Sequence, residues 1–348
     1  MKILFIVPNY LPHIGGVEKH IDMLCKELLK DGHSITILVM KSDNSYRDYE
    51  KIGNLEIIRL NQSSIRFGNR LKVFKYMFLN ITKISKYDVI HFHDFSTFEV
   101  FALPVYLPLK IFGKKLYITF HGWEGQVPPK KSVVLRRKIV EKLADGNICI
   151  GHFIEKWYRM RADIVSYGGV KKVENIDLNK EKYLLFVGRL APDTGIWDYI
   201  KVWEDLSLRY KDLKFIICGD GVLKKEIEKY IQNKNILNIE FKGFVSDVET
   251  YIKDAKIVFT SGYLGILEAF SYKKAVIATY DNELKKDYLQ MIQNYEKMMW
   301  VTDNNICNIA KAVEESINDK IKKEKAYEYS LQNSWEKVKK DYYKLWKV

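Results

Sequence analysis

Residues 171–188 read KKVENIDLNKEKYLLFVG, a polar run that breaks off at a short apolar segment ending in glycine. What lies on either side makes this stretch decisive. Upstream, the apolar runs KILFIV, SITILV, LEIIRL, DVIHFH, KLYITF and NICI alternate with patterns of helical spacing, and downstream the rhythm restarts with YLLFVG, KFIICG, NIEFKG, AKIVFT and KAVIAT. Short apolar runs between amphipathic stretches read as buried strands joined by helices. That alternation implies parallel sheets covered by helices on both faces. The polar interruption divides the α/β chain into two doubly wound, Rossmann-like domains, expected to face each other across a cleft with ligands at the carboxyl ends of the strands. The domains read as 1–170 and 171–330, with 331–348 a helix expected to pack back towards the first domain.

Composition narrows the class. The 348 residues, 47% hydrophobic, suffice for two cores of ordinary size. The opening MKILFIVPNY has too short an apolar run before Pro8 for a signal peptide. The longest later candidate for a membrane span, VFALPVYLPLKIF, is broken by Pro104 and Pro108. Cys25, Cys149, Cys218 and Cys307 lie far apart with no metal-ligand or redox spacing, which suits a reduced, cytoplasmic setting without disulfides.

The formal charge of +13 is unevenly spread: Lys and Arg exceed Asp and Glu by ten in residues 1–170 and by three in the rest. Two segments concentrate it, RFGNRLKVFKYMFLNITK from Arg66 and KKSVVLRRKIVEK from Lys130. Apolar residues at helical spacing among Lys and Arg suit a helix lying on an anionic membrane face or an anionic ligand, and equally a solvated helix face. Neither segment belongs to a nucleic-acid-binding module, so no nucleic-acid partner is expected.

The strand-end loops hold the candidate chemistry. After the first strand, Gly15 and Gly16 precede an amphipathic helix, where backbone amides and the helix N-terminus can approach an anion. TFHGWEG places His121 at a strand exit. VIHFHDF brings His91, His93 and Asp94 close in sequence, but further ligands for a metal centre are missing. In the second half, Gly188 and Arg189 follow YLLFV directly, and an arginine there can pair bidentately with a phosphate beside a helix that starts near Thr194. Gly219 and Gly221 repeat the strand, glycine loop, helix arrangement, and EFKGFV ends a strand whose edge can read a nucleobase. TSGYLGILEAF closes AKIVF and carries a lone carboxylate, Glu268, one turn into its helix.

In this order, the Gly-Gly loop, FHG, VGRL, GDG, GFVSD and SGYLGILEAF resemble the motifs of a retaining, group 1 glycosyltransferase of family four with the GT-B fold, a group that includes enzymes like glycogen synthase and mannosyltransferases. The resemblance runs from MKILFIVPNYLPHIGGVEKHI to SWEKVKKDYYKLWK. It implies a hexosyltransferase-type enzyme that takes its sugar from a nucleoside diphosphate sugar, without a metal or other cofactor, and passes it to a glycan or glycolipid in polysaccharide or glycan-precursor assembly at the inner face of the membrane. It also implies that Gly15, Gly16, Gly188, Arg189, Thr194, Gly219, Phe244, Val245, Gly262, Tyr263, Leu264 and Glu268 bind the donor. His121 would lie near the donor sugar and Arg189 on the diphosphate, the two residues closest to the chemistry, with Gly16 by the donor phosphates and Glu268, a two-oxygen acceptor suited to a diol, on the ribose hydroxyls unless it caps its own helix.

There are departures. Thr194 stands where the family usually has Lys, Thr260 where it usually has a second Glu, and KKA at 273–275 replaces its GxP. One cation and one anion are lost together, which reads as a coupled change in donor binding or as decay of the site. No Asp-x-Asp pair occurs to chelate a diphosphate-bound cation. Two other readings compete with transfer: a sugar-nucleotide epimerase on the same fold, and a non-catalytic protein that keeps a worn sugar-nucleotide site or uses its basic face for membranes or nucleic acid.

Overall fold

The computed structural model describes residues 1–13, 15–62, 66–177 and 181–348, the side chains of residues 66 and 67 excepted. Arg66, which opens the first basic segment, thus has its side chain outside the described residues. The chain divides into two compact units, residues 1–167 with 335–348, and residues 168–334. The divisions fall at 167/168 and 334/335 in place of the 170/171 and 330/331 read from the sequence.

The first unit holds an eight-stranded sheet built from β1 (Lys2–Val7), β2 (Ser34–Met40), β3 (Tyr49–Ile52), β4 (Leu55–Leu60), β5 (Val89–His93), β6 (Leu116–Phe120), β7 (Gly146–Cys149) and β8 (Ile164–Val165). Their order is β3-β4-β2-β1-β5-β6-β7-β8, parallel except where β3 pairs antiparallel with β4. β5 and β6 are buried along their whole length, as strands covered on both faces must be. The helix Trp335–Trp346 belongs to this unit, burying Trp335, Tyr342 and Trp346.

The second unit holds six parallel strands, β9 (Tyr183–Val187), β10 (Lys214–Cys218), β11 (Ile239–Gly243), β12 (Ala255–Phe259), β13 (Ala275–Tyr280) and β14 (Trp300–Asp303), in the order β11-β10-β9-β12-β13-β14. The helix Ile196–Arg209 packs on this sheet through Ile196, Tyr199, Ile200, Trp203 and Leu206, a stripe at helical spacing. From β9 the chain steps outward to β10 and β11, then returns to the other side of β9 for β12. The carboxyl ends of β9 and β12 therefore flank a switch point, where an open α/β sheet leaves room for a ligand. In the first unit the same reversal lies between β1 and β5.

Candidate active site

The loops that follow β9, β10 and β11 are stitched together by backbone. Gly188 N–H donates to the Cys218 carbonyl at 3.2 Å, Leu190 N–H to Asp220 at 2.9 Å, and Gly219 N–H to Gly243 at 2.8 Å. A Cβ on Gly219 would stand 1.9 Å from the Gly188 carbonyl oxygen, so the close approach of these two loops demands glycine whatever binds there. Phe244 leaves the end of β11 exposed, and Val245 behind it is half-buried.

Arg189 projects from the end of β9 with its side chain 71% exposed, and its Nη2 lies 2.8 Å from Asp193 Oδ2. An exposed pair of this kind holds the side chain weakly, so the guanidinium is available to another anion. Thr194 is buried, and its hydroxyl donates to the Ala191 carbonyl at 2.8 Å, closing the turn Pro192–Thr194. The helix begins at Ile196, two residues past Thr194, with Gly195 in the left-handed region at φ +79° as its N-cap. The loop is not short of a cation. Lys285 is buried and donates its ammonium to the Asp193 carbonyl, the residue before Thr194. Burial lowers its pKa, and Asp281, Asp193 and Asp198 oppose that shift.

At the end of β12, Thr260 is buried with its hydroxyl beneath Gly265, where a Cβ would come within 2.7 Å of it. Tyr199 lies against Gly195, the neighbour of Thr194, and its ring is 4.5 Å from that of Phe259, the neighbour of Thr260. Gly262 is the N-cap of the helix Tyr263–Ser271 and supplies no side-chain cap. The Tyr263 amide is already spoken for: it donates to the Tyr288 hydroxyl at 2.6 Å. Glu268 is half-buried six residues beyond the N-cap, past the position from which a glutamate caps its own helix, a place held by Gly265.

In the first unit Gly15 is the N-cap of the helix Gly16–Lys30, and nothing stands within 4 Å of a Cβ built on Gly16. The buried Glu18 folds back over this end, its Oε1 3.0 Å from His13 Nδ1. His121 is buried, not laid open at the strand exit: its Nε2 is 3.0 Å from His93 Nδ1, and its ring packs edge-on to His20 at 5.3 Å. Burial, then the neighbouring imidazoles, hold its pKa well below the ordinary histidine value.

The HGWEG loop is held from beneath by Arg137, whose segment the sequence reading left open between a membrane face, an anionic ligand and a solvated helix face. Its guanidinium is 1% exposed, bonds Glu124 at 2.6 and 3.1 Å, and donates to the Gly122 carbonyl at 3.3 Å. Its helix, Lys131–Leu143, turns this residue inward against the Tyr158 ring, 4.0 Å away. Arg136 pairs with Glu99.

Two family models match the chain, Glycosyltransferase Family 4 over residues 14–165 and Glycosyl transferases group 1 over residues 171–333. The chain belongs to the family 4, group 1 glycosyltransferases. An uncharacterized glycosyltransferase of Methanocaldococcus jannaschii is 27% identical over 99% of this chain and 98% of its own. An α-1,4-N-acetyl-D-galactosaminyltransferase of Campylobacter jejuni, named for an undecaprenol-diphosphate-linked substrate, is 24% identical over 92% of this chain and 89% of its own. Among solved structures, sucrose-phosphate synthase from Thermosynechococcus elongatus superposes with a TM-score of 0.78 at 15% identity, covering 100% of this chain and 98% of that one. This glycosyltransferase thus has the family and the GT-B fold class expected from its motifs.

Sequence reasoning missed Lys285, Tyr288, Glu18 and the inward turn of Arg137. For Glu18 a signal exists, a glutamate three residues beyond a glycine N-cap. For Arg137 there is none, because helical spacing does not reveal which loop lies against a helix. His91 and His93 form no metal cluster with Asp94: His91 bonds Thr119 and Trp346, His93 bonds His121, and Asp94 accepts from the Phe95 amide. The four cysteines are free thiols. Among the described residues no helix is long and apolar enough to cross a membrane.

Proposed function

We propose that this glycosyltransferase moves a hexose from a nucleoside diphosphate sugar to a glycan or lipid-linked acceptor with retention of configuration and without a resident metal. The exposed Arg189 at the carboxyl end of β9, beside the switch point, carries the reading. Its fork suits a diphosphate, and the helix starts at Gly195 and Gly262, neither with a side-chain cap, add donors aimed at the same kind of charge. As the bond to the sugar breaks, negative charge grows on the leaving phosphate, where these groups stabilise it without rearranging. The phosphate oxygen takes the proton of the acceptor hydroxyl while the acceptor oxygen bonds the anomeric carbon on the face from which the phosphate leaves, so configuration is kept. His121 orients the sugar; an imidazole whose pKa lies far below neutrality is a poor general base. Glu268 accepts from the ribose hydroxyls, and Phe244 offers a ring face to the base.

The acceptor is lipid-linked in this reading, and the first unit meets an anionic membrane surface. The helix Arg66–Leu79 anchors itself through the buried Val73 and Met77 and exposes Leu71, Phe74, Phe78 and Leu79 beside Arg70, Lys72 and Lys75. Exposed Leu107, Ile111 and Phe112 extend the apolar surface of this unit. Apolar side chains among cations are what an anionic headgroup layer binds.

A calorimetric screen of UDP, GDP and ADP sugars, followed by turnover with lipid-linked and free glycans, tests the function. The expected result is one preferred donor whose free diphosphate binds Arg189→Ala about 1.5 to 3 kcal/mol more weakly. Tight binding without turnover on any acceptor would replace transfer by sugar-nucleotide binding, and a sugar epimerised without acceptor would replace it by isomerisation. Lys72→Glu with Lys75→Glu should reduce sedimentation with phosphatidylglycerol vesicles and spare phosphatidylcholine ones, the difference fading with salt.

A further inference from the structure

We propose that His93 is a positioning residue that fixes the tautomer of His121, holding it neutral with its N–H on Nδ1, so that it offers the donor sugar a hydrogen-bond donor and no base. This rests on the reading of His121 as a sugar contact and goes beyond it by assigning the proton and the residue that sets it.

Protons in the surrounding cluster can be placed one by one. Trp346 Nε1 is a donor and nothing else, and it lies 3.0 Å from His91 Nδ1. His91 therefore accepts at Nδ1 and, being neutral, donates from Nε2 to Thr119 Oγ1 at 2.8 Å. The Thr119 hydroxyl passes its own proton to the Tyr342 oxygen at 2.9 Å, and Tyr342 donates to His20 Nε2 at 3.0 Å. This run of four bonds uses the protons of Trp346 Nε1, His91 Nε2, Thr119 and Tyr342 and bonds neither His93 nor His121.

Those two imidazoles settle their proton between themselves, across 3.0 Å from His93 Nδ1 to His121 Nε2. Both are neutral, since burial and the neighbouring imidazoles depress both pKa values well below the ordinary one. His93 Nε2 is sealed from solvent and has no hydrogen-bond partner among the described residues. Its ring sits edge-on to Phe5 at 5.2 Å and stacked on Tyr342 at 6.3 Å, with no acceptor between them. If His121 donated, His93 would carry its proton on that sealed nitrogen, and an orphaned buried N–H is rarer than an unpaired acceptor. His93 therefore donates from Nδ1, His121 accepts at Nε2, and the His121 proton lies on Nδ1. Among the described residues Nδ1 of His121 makes no hydrogen bond, which leaves it for a ligand. Arg137, donating to the carbonyls of His121 and Gly122, keeps the backbone of that ring in place.

The test is nitrogen NMR of the full chain labelled at histidine, at pH 7.5, where ring shifts and couplings tell Nδ1–H from Nε2–H. His121 and His93 should both be Nδ1–H, and His91 should be Nε2–H. In His93→Leu, His121 should shift to Nε2–H while the His91 signal, a control for the intact cluster, stays. His93→Asn, whose amide nitrogen replaces Nδ1, should restore Nδ1–H on His121. His93→Gln puts its amide one atom further and should not restore it, a comparison that stands even where the leucine variant fails to fold. An Nε2–H His121 in the unaltered protein, or Nδ1–H persisting in the leucine and glutamine variants, overturns the proposal. Calorimetry with UDP-glucose against UDP, and GDP-mannose against GDP, reads the functional half. The sugar's contribution to affinity in the preferred pair should fall about five- to tenfold in His93→Gln and recover in His93→Asn. Tautomers as expected with that ratio unmoved would overturn the sugar contact of His121 and leave the imidazole pairing standing.

Discussion

Lowering the pH from 7.5 to 5 should loosen the first unit and spare the second. All seven histidines lie between residues 13 and 152, inside the first unit, and four of them, His20, His91, His93 and His121, are buried. Burial pushes His20 down to about 4, and the other three lie well below the ordinary 6.5. In each case the folded pKa is below the unfolded one, so the unfolded chain binds the proton first. Stability is whole above about 6.5 and is lost as the pH falls towards the folded value. At pH 5 His20 alone costs about 2 kcal/mol, from about 1.4 kcal/mol per unit over about 1.5 units. The other three add in the same direction. Asp94 runs the opposite way: burial raises it from 3.8 to about 6, so its folded form binds the proton first. At pH 5 that returns about 1.4 kcal/mol. Four imidazoles outweigh one carboxyl, so the balance moves against the folded first unit as the pH falls. Hydrogen exchange resolved by peptide, corrected for the intrinsic pH dependence of exchange, reads both units in one sample. β1, β5 and β6 should lose protection at pH 5 while β9, β10 and β12 keep theirs. Equal protection of β1, β5 and β6 at both pH values would refute the reasoning.

Gly219→Ala should lower stability by about 1 to 3 kcal/mol in urea unfolding, because its Cβ meets a carbonyl oxygen that cannot yield. Gly16→Ala, with open space around it, should stay within about 0.5 kcal/mol, so weaker sugar-nucleotide binding there would report a ligand contact. Arg137→Met should cost about 2 to 4 kcal/mol, somewhat under the range for a fully buried pair because Glu124 is a third exposed; an unchanged urea midpoint would contradict the clamp on the HGWEG loop. Thr194→Lys places a second ammonium near Lys285, and Thr260→Glu buries an anion under a helix start, so each should impair turnover. The double variant should recover part of it through a coupling of about 0.5 to 3 kcal/mol. Additive single effects in an active enzyme would reject a coupled change, and an inactive starting protein revived by the double variant would mark decay.

Much of the second unit was legible from residue order alone. YLLFV, KFIIC and AKIVF became β9, β10 and β12, and Arg189 and Gly262 stand at the strand ends where the motifs put them. Such features are local: apolar period, glycine placement and strand-to-loop transitions are written in a few neighbouring residues. The same pattern could not say that Gly219 is glycine to clear the Gly188 carbonyl, or that the Tyr263 amide is held by Tyr288, twenty-five residues on.

The sequence by itself determined two parallel α/β sheets, their joint, and a set of family motifs in order. Only the tertiary structure decided which strands flank the switch points, that Arg137 faces inward, and that Lys285 lies beside the loop where the expected lysine is missing. It also gathered His20, His91, His93, His121 and Tyr342 from a helix, a strand, a loop and the C-terminal helix, with His20 and Tyr342 separated by 322 positions. The reason is physical. Short-range pattern sets backbone conformation and which face is buried, whereas proton placement and pKa depend on which distant side chains share a dry interior, and that follows from packing alone.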